Sequence, residues 1–187
     1  MVGQPEEVEK KDAIFNLVWT YNIKVVDQHK KACYACDGST RGGQVRVLDH
    51  TYANSVDQTS SRIFYAAAAA ENLIIYGADV LSAFAEAPPS KQGFWIRPDK
   101  AFREWWVNHT QGPPIPHGHV IPIISAFQGH PEALRLWEKH ADRIICECVL
   151  TTTVHEPCLY SDVVEGERVL LKQQMDDFAV ASNKKRT

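Results

Sequence analysis

From Asn16 to Lys24 the run NLVWTYNIK alternates large apolar with polar residues over part of its length, the period of a half-buried strand. A polar stretch from Val26 to Lys31 then leads into ACYAC, so the pattern predicts a hairpin. The glycine-rich loop DGSTRGGQ follows it. QTSSRIFYAAAAAE is rich in alanine and poor in breakers, which predicts a helix running to Glu71 and capped by Asp57 or Thr59. LIIYGADV has the continuous apolar character of a buried strand. Pro88 and Pro89 end whatever follows it, and GFWIRP predicts another short strand. Residues 111–119 form a Pro/Gly loop, and VIPIIS after it is strand-like. Between Glu132 and Cys146, residues such as Ala133, Leu136, Trp137, His140 and Ile144 recur at helical spacing. CLYSDVV and RVLLKQQ flank the turn EGE as a hairpin, and DDFAVAS closes the pattern. No internal repeat and no regular βαβ rhythm is visible. The expected class is therefore α+β, with a mixed or antiparallel sheet packed on helices.

Composition narrows the choices. The chain's 187 residues suffice for one substantial core or for two small lobes. No apolar run approaches the roughly 18 residues of a membrane span; the longest, Ile63 to Ala70, ends at Glu71. The polar, acidic residues 1–12 are expected to be a disordered lead-in rather than a secretory signal. An odd set of five cysteines fits reduced thiols in an intracellular setting. A net charge of -3 argues against a nucleic-acid binder, since phosphate contacts want Lys and Arg. From Asn22 to Leu48, however, Lys24, Lys30, Lys31, Arg41 and Arg46 outnumber Asp27 and Asp37, so that lobe is locally positive. Cys33-x-x-Cys36 has the spacing of half a zinc site, with His50, His117, His119, His155 or Cys158 to complete it. No second tight pair is present, and small core or surface thiols are the plainer reading. Trp95, Trp105 and Trp106 fall in or beside a presumed insertion loop, where packing is the plainer role.

Three acids stand in unusual company. Asp79 ends an apolar run, where burying an unpaired carboxylate is costly. Asp176-Asp177 follows RVLLKQQM, in or just after a turn, and adjacent carboxylates repel unless a cation or proton intervenes. Magnesium ions would relieve both and would supply the clamp that nucleotidyl transfer needs. Ordinary turn residues and a surface Asp-Asp pair account for the same spacing, so the residues alone leave both readings open.

Six blocks in order carry a resemblance. They are WTYNIK, KKACYACDGS, the long stretch ending ENLIIYGADVLSAFAEA, AFQGHPEALRLWEKH, HEPCLYS and QQMDDFAVAS. Together they resemble the copia-type reverse transcriptase domain of LTR retrotransposons over about residues 18–182. The resemblance implies a ferredoxin-like palm over residues 57–182, a fingers-like lobe over 13–56 and a short tail over 183–187. It implies RNA-directed DNA synthesis with two magnesium ions, manganese being an alternative. Asp79, Asp176 and Asp177 would be catalytic metal ligands, and the Val80 carbonyl would add a backbone oxygen. Phe84 falls at the position of an aromatic gate against the 2′-hydroxyl. Gln128 and Gly129 would contact the nucleotide, and Lys24, Lys30 and Lys31 would be fingers residues near the triphosphate or template. The implied partners are an RNA or DNA template with its primer, a deoxynucleotide, and the rest of a polyprotein with integrase and RNase H. The implied setting is an intracellular particle or the nucleus.

The chain departs from the family pattern at three places. Cys33 stands where the fingers carry an arginine, and a thiol cannot make a guanidinium's bidentate phosphate contacts. Gln174-Met175 replaces Tyr-Val before the paired acids, and GHPEALRLW lacks the lysine of the helix motif. No thumb follows the acids before Thr187, which predicts poor grip on a duplex. A catalytically silent relic, or a nucleic-acid-binding fragment that keeps the palm, is the alternative expectation.

Overall fold

The computed structural model describes residues 2–8, 14–23, 30–38, 51–148 and 150–183. Lys24, Arg41, Arg46, His50 and most of the glycine-rich loop therefore lie outside the described residues. The chain forms two compact units, one of Met1–Thr51 with Phe84–Leu136 and the other of Tyr52–Ala83 with Trp137–Thr187. This division differs from the contiguous lobes expected over 13–56 and 57–182, because residues 84–136 share a core with the N-terminal segments.

In the first unit, β1 (Ile14–Phe15) pairs parallel with β5 (Trp95–Ile96), which pairs antiparallel with β6 (Ile121–Pro122). Their side chains and Trp106 of helix α3 (Lys100–Thr110) build a core that includes Phe94, Ile96, Ile121 and Ile123. The lead-in is ordered where it is described. Val2 and Glu6 bridge to Ile123 and Val120, and the Gly3 amide donates to the Pro122 carbonyl at 2.8 Å. Those bonds satisfy the open edge beside β6, which the polar composition of the lead-in did not reveal. The expected N-terminal hairpin is present as β2 (Leu17–Ile23) and β3 (Lys30–Cys36). Helix α2 (Ala83–Glu86) is a single turn ahead of Pro88-Pro89. Helix α3 occupies ground read from sequence as loop. Asp99 caps it by accepting from the Phe102 amide at 2.8 Å.

The second unit is a five-stranded, wholly antiparallel sheet in the order β4-β10-β9-β8-β7. Its strands are β4 (Ile74–Asp79), β7 (Thr151–Thr152), β8 (Leu159–Val164), β9 (Glu167–Gln174) and β10 (Asp177–Ser182). Helix α1 (Gln58–Ala70) begins where Asp57 accepts from the amides of Thr59 and Ser60, at 2.7 and 3.1 Å. It lays Phe64 and Ala68 on Leu170, Ala179 and Ala181. Where Ala68 meets Ala179 and Ala181, neither side presents bulk beyond a methyl group, and Phe64 and Leu170 fill the space beside them. Helix α4 (Ala133–Glu147) places Ile145 with Tyr160 and Leu171, near Phe178 and Val180. Successive strand residues face opposite ways, so α1 and Ile145 of α4 cover opposite faces.

Strand β4 is not the buried strand that LIIYGADV suggested. It forms the outer edge of the sheet; Leu73 before it is buried, while Ile74 and Ile75 are exposed. An apolar run reads the same at an edge as in a centre, and only the pairing order separates the two. Among the described residues no helix is long and apolar enough to cross a membrane.

Candidate functional site

Strand register assembles the acidic end of the second unit. β4 and β10 run antiparallel with Asp79 directly opposite Asp177, and Asp177 in turn faces Gln174 across the β9–β10 hairpin. Partners in register project to the same face, so these two carboxylates emerge side by side at the end of the sheet. Asp79 and Asp177 are exposed, and Asp176 is half-buried in the connecting turn. The Asp176 carbonyl accepts from the Val80 amide at 3.1 Å, extending the β4–β10 contact by one bond. Because Asp79 is exposed, the cost of burying an unpaired carboxylate does not apply to it. What singles out this end is that three acids from two distant segments converge there.

The turn itself is constrained. Met175 and Asp176 are its two central residues, and Met175 has φ 58° while Asp176 does not share the left-handed region. That sign pattern is the two-residue turn whose first position favours glycine, so methionine there is strained. The Glu165-Gly166 turn between β8 and β9 takes positive φ at both residues and places glycine at one of them. Two side chains hold the strained turn through one atom. The Trp137 indole Nε1 donates to the Met175 carbonyl at 2.8 Å, and Gln173 Nε2 reaches the same oxygen at 3.4 Å. Gln173 is buried, and its Oε1 lies 3.3 Å from the Tyr160 hydroxyl, which is also 3.2 Å from Asp142 Oδ1. Burial and the neighbouring Asp142 carboxylate push the Tyr160 phenol up, so it keeps its proton and serves as donor. Sequence reading placed Trp137 only on an apolar helix face. Its bond to the turn has no signature in spacing.

The remaining expected residues belong to the first unit. Phe84 is half-buried in α2. Lys30 and Lys31 are exposed at the start of β3, opposite Ile23 and Asn22. Gln128 is exposed, and its carbonyl accepts from the Cys36 amide at 2.8 Å. Gly129, at φ 85°, has its open side filled by β3 rather than left to a substrate: a Cβ there would sit 2.1 Å from the Cys36 carbonyl oxygen. A Cβ on Gly38 would likewise meet the Gly129 carbonyl, at 2.2 Å. His130 beside them is buried and stacks on Phe94, with ring centroids 4.1 Å apart. Lys24 lies outside the described residues.

Hard carboxylate oxygens suit magnesium, and register brings Asp79 and Asp177 together. As the side chains stand, no group of three or more His, Cys, Asp or Glu is gathered for a metal among the described residues. That statement covers the half-zinc reading too: Cys36 and Cys158 are buried thiols, each pushed up to about 12 chiefly by burial. Comparison of the chain with family models, with curated proteins and with solved structures returned no match.

Proposed function

We propose that the chain is the fingers-and-palm part of a copia-type reverse transcriptase, an RNA-directed DNA polymerase. The observation that carries this reading is the register of Asp79 opposite Asp177, with Asp176 in the hairpin turn between β9 and β10.

In this reading Asp79, Asp176 and Asp177 hold magnesium, with a backbone oxygen from Val80. Magnesium held by these residues would supply the charge stabilisation that nucleotidyl transfer needs. The 3′-hydroxyl of a primer attacks the α-phosphate of a deoxynucleotide, and pyrophosphate leaves. Trp137 and Gln173 keep the Met175 carbonyl in place, so the acids next to it start from a fixed backbone. By the resemblance, Phe84 selects the sugar, Gln128 borders the nucleotide, and Lys30 and Lys31 with Lys24 face triphosphate or template.

Cys33 favours a second reading, a catalytically silent relic or binding fragment. It is half-buried in β3 where the family has a phosphate-binding arginine. Primer extension on poly(rA) with an oligo(dT) primer, in magnesium and in manganese, separates the two. The polymerase reading expects extension that is lost in Asp176→Asn. Folded chain that extends no further than that variant sinks it and leaves the relic.

A further inference from the structure

Strand β4 leaves one side of its backbone without a partner among the described residues. The Val80 amide points to β10, where it donates to the Asp176 carbonyl at 3.1 Å. Backbone groups alternate in direction along an antiparallel strand, so those of Ile74, Tyr76 and Ala78 also face β10. The amides and carbonyls of Ile75, Gly77 and Asp79 face the other way, and no described strand pairs with them. All three residues are exposed. Gly77 has no side chain, so its exposure is that of backbone.

Proteins usually blunt such an edge by shortness, lysine, proline or a bulge. The opposite edge of the same sheet obeys that rule, since β7 is only two residues long. β4 has six residues in unbroken register, with neither lysine nor proline among them. Gly77 adds a second departure. A glycine inside a strand weakens it, and often marks the close approach of another backbone. Nothing within the chain calls for it, because a Cβ there would meet no atom within 4 Å.

The strand's own sequence selects the occupant. Two copies joined edge to edge are related by a dyad normal to the sheet, so outward residues pair with outward residues. With the dyad at Gly77, Gly77 meets its own copy and Ile75 meets Asp79 of the second copy, which pairs every outward amide and carbonyl. On the other face Ile74 meets Val80 and Tyr76 meets Ala78, all apolar. Each Asp79 then lies four residues along the strand from its copy, about 14 Å, beyond the screening length at physiological salt. Parallel pairing would instead set the two carboxylates side by side.

We propose that β4 is a self-association edge, through which two copies of the chain pair antiparallel over residues 74–80 about a dyad at Gly77. The contact is one strand wide and falls below the roughly 1,200 Å² of a stable interface, so the dimer is reversible. Pairing consumes the long edge of both sheets, and assembly stops at two. None of this depends on the polymerase reading.

Sedimentation velocity of the full chain from about 1 to 300 μM should show monomer and dimer in exchange and nothing larger. Gly77→Lys sets like charges directly opposite at the dyad and should weaken the dimer about fivefold or more. Gly77→Thr should keep or tighten it. Both side chains enter open space, so both variants should melt near the parent. Ile75→Lys places a lysine against Asp79 of the second copy and should tighten the dimer in a salt-sensitive way. As concentration rises, amide exchange should slow at Ile75, Gly77 and Asp79 but not at Tyr76 or Ala78. A chain that stays monomeric throughout overturns the proposal, as does a dimer that Gly77→Lys leaves intact. Growth past the dimer, or weakening by Ile75→Lys, overturns it equally.

Discussion

The β9–β10 and β2–β3 hairpins join antiparallel strands of similar length, but their surroundings differ. Both β9 and β10 are interior strands of a five-stranded sheet, and their turn is tied by Trp137 and Gln173. β2 and β3 form a sheet by themselves, held mainly at one end by Tyr34 stacked on Phe102 of α3 and by the loop at Gln128-Gly129. The first arrangement spends burial on fixing a polar tip. The second leaves Trp19 and Tyr21 exposed toward the tip and fixes only the root. A two-stranded ribbon is marginal alone, so the root contacts decide whether the second hairpin exists.

The sharpest way to break the comparison is to cut the tie at the β9–β10 turn. Trp137 is buried, and Trp137→Ala should cost about 4 kcal/mol of unfolding free energy by urea titration. Trp137→Phe keeps most of the packing and removes the bond to Met175. It should cost only about 1 kcal/mol, while amide exchange in the turn quickens markedly. If the two variants are equally destabilised, the bond rather than the packing carries the effect.

The corresponding root of β2–β3 responds to pH. Burial pulls His130 down to about 4, although the nearby Glu132 carboxylate opposes the shift. Its folded value lies below the unfolded 6.5, so between the two the unfolded chain binds the extra proton. Stability from this group is then full above about pH 6.5 and declines as pH falls toward 4, by up to about 3 kcal/mol. His130→Phe preserves the stack on Phe94 and should flatten that part of the pH profile. A variant with the parental slope would show that another group is responsible. Gly129→Ala attacks the same root sterically and should cost at least about 2 kcal/mol, because the positive φ and the Cys36 carbonyl both oppose a Cβ. Exchange at the Cys36 amide should rise with it.

Much of this was legible along the chain, for identifiable reasons. Asp57 announces α1, and the Glu165-Gly166 turn announces β8–β9, because caps and tight turns are local chemistry. The helix ending near Cys146 shows its apolar face in the spacing of Ala133 and Trp137, which are buried, whereas Ile144 of the same spacing is exposed and Ala141 is buried instead. Helix α3 was missed since KAFREWWVNHT lies among prolines and tryptophans, and its Asp99 cap was passed over. The joining of residues 84–136 to the N-terminal segments, and the edge position of β4, depend on contacts far apart in sequence. The resemblance nominates the acids, while the register that sets Asp79 opposite Asp177 depends on pairing far apart in sequence. Gly129 was assigned to a substrate when its missing Cβ makes room for Cys36.

The smallest expected effect sharpens the contrast most, since it asks whether the acids serve the fold at all. Asp79 and Asp177 stand directly opposite on adjacent strands, and like charges so placed destabilise a sheet. Asp79→Asn should therefore raise stability by about 0.5 kcal/mol at low salt without divalent ions. Magnesium should then stabilise the parent more than the variant, because only the parent keeps every carboxylate of the candidate site. An Asn variant less stable than its parent in the absence of metal would make these acids structural and remove the reason for reading them as ligands. A gain in stability joined to a loss of magnesium response would mean the repulsion is retained against the interest of the sheet. That is the mark of a site kept for chemistry rather than for folding.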